Sequence, residues 1–243
     1  MIITVTDLEN NLEKYLQAVE KEDIIITDKG RKVARLSAYE DVTGTAVNDI
    51  VKESSEAYVY SPRKATWEEF LEIWENTEDR YEYIDGEIYL LASPKVVHQQ
   101  ILGNLYGTFH TWFKDKGCQP FFAPFDITLK RNSENINIVQ PDLMIICDLE
   151  ENLNEKGYYM GVPALMVEIL SESTRRKDSI KKLDLYMSTG VREYWIVNPF
   201  NKEVTAFHFE NNDLLESTTY KNDEKVKSYT FDGLEVELKI LFG

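Results

Sequence analysis

Two carboxylates and an amine stand in this chain where metal-assisted phosphodiester hydrolysis would need them. Asp142 follows Pro141 at the head of the apolar stretch Leu143–Cys147, and Glu168 sits inside the apolar run from Ala164 to Leu170. A carboxylate inside an apolar strand is costly unless it is paired or binds a cation. Two such groups supply hard oxygen ligands, and magnesium needs only one or two carboxylates because it keeps several of its waters. An ammonium beside them would steady the attacking water and the charge that builds on phosphorus. The helix expected over Arg175–Met187 carries Lys181 and Lys182, and Lys182 shares a helical stripe with Ser179 and Tyr186. Each residue also has a plainer reading. Asp142 would be a strand-end acid, Glu168 half of a buried ion pair with Arg175 or Lys182, and Lys182 an exposed helix lysine.

The elements that must position these groups are legible from periodicity and turn chemistry. Near the start, Ile2–Val5 reads as a strand, and Thr6 or Asp7 as the cap of a helix with Leu8, Leu12, Tyr15, Leu16 and Val19 on one face. Ile24–Thr27 and Lys32–Leu36 then form a hairpin through Asp28-Lys29-Gly30. A polar stretch follows, and a second domain begins near Arg63. Trp67–Trp74 reads as a short helix capped by Thr66, and Tyr81–Leu90 as a hairpin turning at Asp85-Gly86. Pro94 opens a long helix with Val97, Ile101, Leu105, Phe109 and Trp112 as its core stripe. Strands are expected over Phe121–Leu129, Ile138–Cys147, Ala164–Leu170, Glu193–Val197 and Val204–Phe209, and the tail to Phe242 alternates as edge strands. The fold class expected is α/β (α+β): a mixed sheet flanked by helices, preceded by a small β-α-β-β domain.

Composition bounds the function. The 243 residues carry a net charge of −16, which argues against a broadly basic nucleic-acid surface but suits a metal-binding acid cluster. Two local basic stretches could still meet phosphates: Lys29, Arg31, Lys32 and Arg35, and Arg175, Arg176, Lys177, Lys181 and Lys182. The plainer reading of each is a solvated charged face. No run of 18 apolar residues exists and no signal peptide is visible, so a cytoplasmic protein without membrane contact is expected. The two cysteines, Cys118 and Cys147, are expected as free thiols.

Two resemblances sharpen these expectations. Ile3-Thr4-Val5-Thr6-Asp7-Leu8, Asn11-Leu12, Ile24–Thr27 and Gly30–Leu36 resemble the N-terminal domain of Phd/YefM-type antitoxins, over roughly residues 1–48. That resemblance implies a homodimer binding DNA, here through Lys29, Arg31 and Lys32, and a toxin as a further class of partner. Residues 49–62 read as a linker. Residues 63–243 resemble the Uma-type restriction-endonuclease family, a branch of the PD-(D/E)XK nucleases. The matching residues are Tyr81–Ile88, Pro94 with His98, Gln140-Pro141-Asp142-Leu143, Val167–Thr174, Asp178 with Lys182-Leu183 and Tyr186, and Gly190–Pro199. The usual lysine two residues after the second acid is replaced by Leu170; the family takes it from the helix, where Lys182 stands. The resemblance implies an endonuclease using magnesium or manganese on DNA, with Asp142, Glu168 and the main-chain oxygen of Ile169 as metal ligands. It implies Lys182 as the amine, Glu82 on metal-bound water or a second ion, and His98 on phosphate, with Arg175 and Arg176 contacting DNA. The alternative is a dimeric DNA-binding, antitoxin-like regulator fused to a catalytically inert nuclease fold.

Overall fold

The computed structural model describes residues 2–4, 7, 8, 15, 18, 24–28, 31–36, 63–171 and 177–243. The chain separates into two units, Met1–Glu56 and Ala57–Gly243. The expected linker therefore lies outside the described residues, as do Lys29, Arg175 and Arg176.

In the first unit, β1 (Ile2–Thr4) pairs in parallel with β2 (Ile24–Asp28), which pairs antiparallel with β3 (Arg31–Leu36). Ile3, Tyr15, Ile24 and Ile26 form its core, with Leu8, Ala18 and Leu36 packed against them. Arg31 and Lys32 lie on β3. Thr4 and Asp7 exchange side-chain bonds to each other's main-chain N–H, at 3.1 and 3.0 Å. This reciprocal pattern is that of a capping box between Thr4 and Asp7; Thr6, the other expected cap, lies outside the described residues.

The second unit opens with β4 (Arg63–Lys64) and α1 (Trp67–Glu75), whose first turn is closed by a capping box between Thr66 and Glu69. The hairpin β5 (Tyr81–Ile84) and β6 (Glu87–Leu90) turns at Asp85 and Gly86, both at positive φ. The long helix is α2 (Val96–Phe113). Beyond it, prolines divide the two strands expected next. Phe121–Leu129 breaks at Ala123-Pro124 into β7 (Gln119–Phe122) and β8 (Ile127–Lys130), and Ile138–Cys147 breaks at Gln140-Pro141 into β9 (Ile136–Val139) and β10 (Leu143–Ile146). Proline donates no ladder hydrogen bond, so each break is where the chain leaves one sheet for the other. β8 and β9 pair in a five-stranded antiparallel sheet of order β4-β6-β5-β9-β8.

β7 and β10 pair instead in a six-stranded sheet, completed by β11 (Leu165–Ile169), β12 (Glu193–Asn198), β13 (Glu203–Glu210) and β14 (Asp213–Lys221). Its order is β14-β13-β12-β11-β10-β7, with β11 and β12 parallel. Side chains alternate along β10 and β11. Leu143, Ile145, Leu165 and Val167 pack on Ile101, Leu105 and Phe109 of α2. Met144, Ile146 and Met166 pack with Ile84, Ile127 and Leu129 of the five-stranded sheet and with Leu185 and Tyr186. Between β11 and β12 the chain forms a π-helix, Lys177–Lys182, continued by α3 (Leu183–Ser188).

Two expectations are corrected. Cys118 and Cys147 are not free thiols but a disulfide. Gln119 faces Ile146 across β7 and β10, so the flanking cysteines stand directly opposite each other on adjacent strands, where the cross-strand bond forms. The tail pairs β15 (Lys225–Lys227) with β16 (Glu235–Glu237) but ends in a helix, α4 (Leu238–Phe242), because Leu238 and Leu241 bury one helical face. Among the described residues no helix is long and apolar enough to cross a membrane.

Candidate active site

The register of the six-stranded sheet brings the two acids together. Leu143 faces Val167 across β10 and β11, and continuing that register by one residue sets Asp142 against Glu168. Pro141 fixes the corner at which the chain enters β10, so Asp142 stands at the sheet end rather than within the ladder. Its Oδ2 accepts the Ile169 main-chain N–H at 2.7 Å and lies 3.1 Å from Nε2 of His98, in the first turn of α2.

The amine comes from the helix after β11. Lys182 ends the π-helix, and Tyr186 follows one turn later on the same face. The Lys182 ammonium donates to Glu168 Oε1 at 2.6 Å, and the Tyr186 hydroxyl donates to the same oxygen at 2.7 Å. The ammonium also lies 2.8 Å from Glu82 Oε1 on β5, which accepts the Gln140 main-chain N–H at 2.9 Å. Lys182 is 2% exposed and Glu82 0%. The two carboxylates it bridges offset the cost of burying its charge. The exposed-lysine reading of Lys182 is thereby excluded, while the ion pair considered for Glu168 is present.

Glu82, His98, Asp142, Glu168, Ile169 and Lys182 line one cavity of about 550 Å³. Beneath it, the Gln140 amide donates to Asp126 at 2.8 Å. Burial pushes the Asp126 carboxyl above the usual aspartate range; the Gln140 bond opposes that shift and the charge of Glu82 adds to it.

Two tethers hold the helix carrying Lys182 against the five-stranded sheet. Arg131 bridges Asp184 at 2.7 Å and Asp85 at 3.1 Å, and bonds the Ser188 hydroxyl. Lys181 pairs with Glu87, which also accepts the Tyr89 hydroxyl at 2.5 Å. Burial drives the Glu87 carboxyl up, but the Lys181 and Tyr89 bonds outweigh it and leave the group below the usual range.

The donor set suits a hard ion. Asp142 and Glu168 offer carboxylate oxygens, Ile169 lines the same cavity, and the cavity has room for waters, which magnesium retains. No cluster of three His, Cys, Asp or Glu side chains able to hold a metal occurs among the described residues, so a closed structural cage of the zinc type is not what they build. Sequence reasoning named the acids and the amine. It missed Tyr186 as a donor to Glu168, although the four-residue step from Lys182 carries that signal. It also placed Val97 in the core stripe of α2, whereas Val97 is 55% exposed and lines the cavity.

Comparison with known proteins places both units among known families. Residues 67–239 match the Uma2 model, described as "Putative restriction endonuclease", and residues 1–43 match the model described as "Antitoxin Phd_YefM, type II toxin-antitoxin system". Uncharacterized protein slr1290 of Synechocystis sp. (strain ATCC 27184 / PCC 6803 / Kazusa) is 27% identical over 146 residues, 60% of this chain and 74% of that protein. Uncharacterized protein sll1609 of the same strain is 24% identical over 133 residues, 54% of this chain and 73% of that protein. A crystal structure described as a putative nuclease belonging to DUF820, from Anabaena variabilis ATCC 29413, superimposes with a TM-score of 0.59 at 21% identity. The match covers 73% of this chain and 97% of that one, so the fold is restriction-endonuclease-like.

Proposed function

Because the chain belongs to the Uma2 family of restriction-endonuclease-like proteins, we propose that it hydrolyses DNA phosphodiester bonds with magnesium or manganese. The observation that carries this reading is the single cavity in which a buried lysine bridges two carboxylates while a third carboxylate is held beside them by His98 and a main-chain N–H. In this reading Asp142, Glu168 and the Ile169 carbonyl hold the ion, which when bound lowers the pKa of water and polarises the phosphate. Lys182, already desolvated, neutralises the acids and then the charge gathering on phosphorus. His98 contacts a phosphate oxygen, and Glu82 fixes Lys182 from the other side or holds metal-bound water.

The test is cleavage of labelled single-stranded and duplex DNA with magnesium, manganese or chelator. Asp142→Asn keeps an acceptor for the Ile169 N–H, so the variant is expected to melt with the wild type yet lose metal-dependent cleavage. Equal cleavage by both proteins discards the reading.

The match of residues 1–43 to the antitoxin model favours a second role for the N-terminal unit. It would form a homodimer and bind operator DNA or a toxin, with Arg31 and Lys32 on β3 as candidate DNA contacts. Salt-sensitive duplex binding lost on deleting residues 1–48 supports it; undiminished binding by the remaining chain removes it.

A further inference from the structure

The cavity has two chemistries. Its lining combines Glu82, Asp142, Glu168 and Lys182 with the apolar side chains of Leu91, Val97, Pro199 and Phe200, and with Arg80 and Lys95. Hydrolysis of a phosphodiester uses the acids and Lys182 and gives no reason for the apolar side chains. Phe200 is 51% exposed, yet its backbone is firmly set. It sits in the turn between β12 and β13, where Asn198, 5% exposed, accepts the Phe200 N–H at 3.1 Å and the Asn201 N–H at 3.4 Å. Asn198 and Asn201 in turn each donate to Glu203 at 3.1 Å. A buried asparagine thus fixes the backbone of the turn from which a half-exposed aromatic side chain lines the cavity.

Resting on the nuclease reading for the acids and Lys182, we infer that the apolar lining receives one unpaired nucleobase, stacked against Phe200, and that the substrate is single-stranded DNA at the point of cleavage. The nuclease reading sets the direction: the phosphate goes to the ion that Asp142 and Glu168 would hold, with Lys182 beside it, and the base to the apolar lining. The cavity volume is within the range of small-ligand sites, so it takes one extruded nucleotide, whereas the bases of an intact duplex stay stacked out of reach. Stacking on an aromatic ring accepts any base, so the site selects strandedness rather than sequence.

Binding tests this without turnover. Fluorescence anisotropy would compare a single-stranded oligodeoxythymidylate with a blunt hairpin duplex on the full chain, calcium replacing magnesium. A 2-aminopurine probe in the single strand would report stacking directly. The expected result is that the single strand binds about tenfold more tightly than the duplex, that Phe200→Ala weakens it about tenfold and abolishes 2-aminopurine quenching, and that Phe200→Tyr restores both. Phe200→Ala should melt with the wild type, since the ring is half exposed. Equal affinity for duplex and single strand, or undiminished quenching in Phe200→Ala, overturns the inference; if Asp142-dependent cleavage persists in that case, the nuclease reading survives. Conversely, Phe200-dependent binding in a protein that cuts nothing leaves the base site standing and removes the nuclease reading.

Discussion

In the proposed nuclease, Lys182 would join catalytic chemistry and stability in one atom. Its ammonium, 2.6 Å from Glu168 and 2.8 Å from Glu82, is the counter-charge that lets two carboxylates sit in the dry interior. Replacing it by methionine keeps the volume and removes the charge, so Lys182→Met should lose about 3–5 kcal/mol of stability at neutral pH by leaving buried acids uncompensated. Two acids sharing a site without a cation hold their protons to higher pH. The variant therefore binds more protons folded than unfolded, and its melting temperature should recover as the pH falls. A melting temperature unchanged across pH would refute the pairing. Asp126 gives a second pH signature. Its folded carboxyl is raised above 3.8 chiefly by burial, so the folded state holds the proton through a window in which the unfolded chain has lost it. Stability then declines as pH rises through that window. Asp126→Asn should match the wild type in acid and melt higher above the window. At this scale the sequence was readable where residue type and surroundings disagreed, as for Glu168 in an apolar strand. It was silent where a residue's surroundings come from other strands: Glu82 stood out only through family resemblance, and Phe200, a lone aromatic in a turn, has no periodic signature.

Among the elements, those with local chemistry were the readable ones. Thr66 and Glu69 close a capping box, with Thr66 N–H donating at 2.8 Å, and Asp85-Gly86 makes the hairpin, both as the residue types dictate. The strands cut at Pro124 and Pro141 were read as continuous, because an apolar run does not reveal which sheet it joins. The same blindness hid the disulfide: cysteine spacing says nothing of cross-strand register. Cys118 and Cys147, 29 residues apart, tie together β7 and β10, the strand that Asp142 precedes. Loop-closure arithmetic puts that cross-link at about 3–4 kcal/mol. Guanidinium unfolding with and without reductant should show a loss of that size, and the Cys118→Ala/Cys147→Ala double variant should show it without reductant. A reductant effect that persists in the double variant would rule the cross-link out as its source.

For the molecule as a whole, each unit buries its own apolar residues. The cluster around Ile3, Ile24 and Ile26 draws only on the first unit, and those around Trp195, Tyr186 and Phe70 only on the second. The order of the elements was legible because each carries its own period or turn; the split into two sheets was not, because sheet membership is decided by long-range pairing. One contact reaches from the middle of the chain to its end. Glu193, fully buried in β12, accepts bonds from Trp195 at 2.6 Å, Ser228 at 2.7 Å, Thr230 at 2.9 Å and Tyr229 at 3.1 Å. Three of those four donors lie in one short segment, residues 228–230. A product terminated by a stop codon before Ser228 would carry every strand of both large sheets and still strand an anion in its core with one indole for company. Such products should fail to accumulate in expressing cells, whereas full-length Glu193→Leu, which needs no donors, should survive better than the truncated chain. Persistence of the restriction-endonuclease-like fold is thereby tied to the segment 228–230, which lies outside both large sheets.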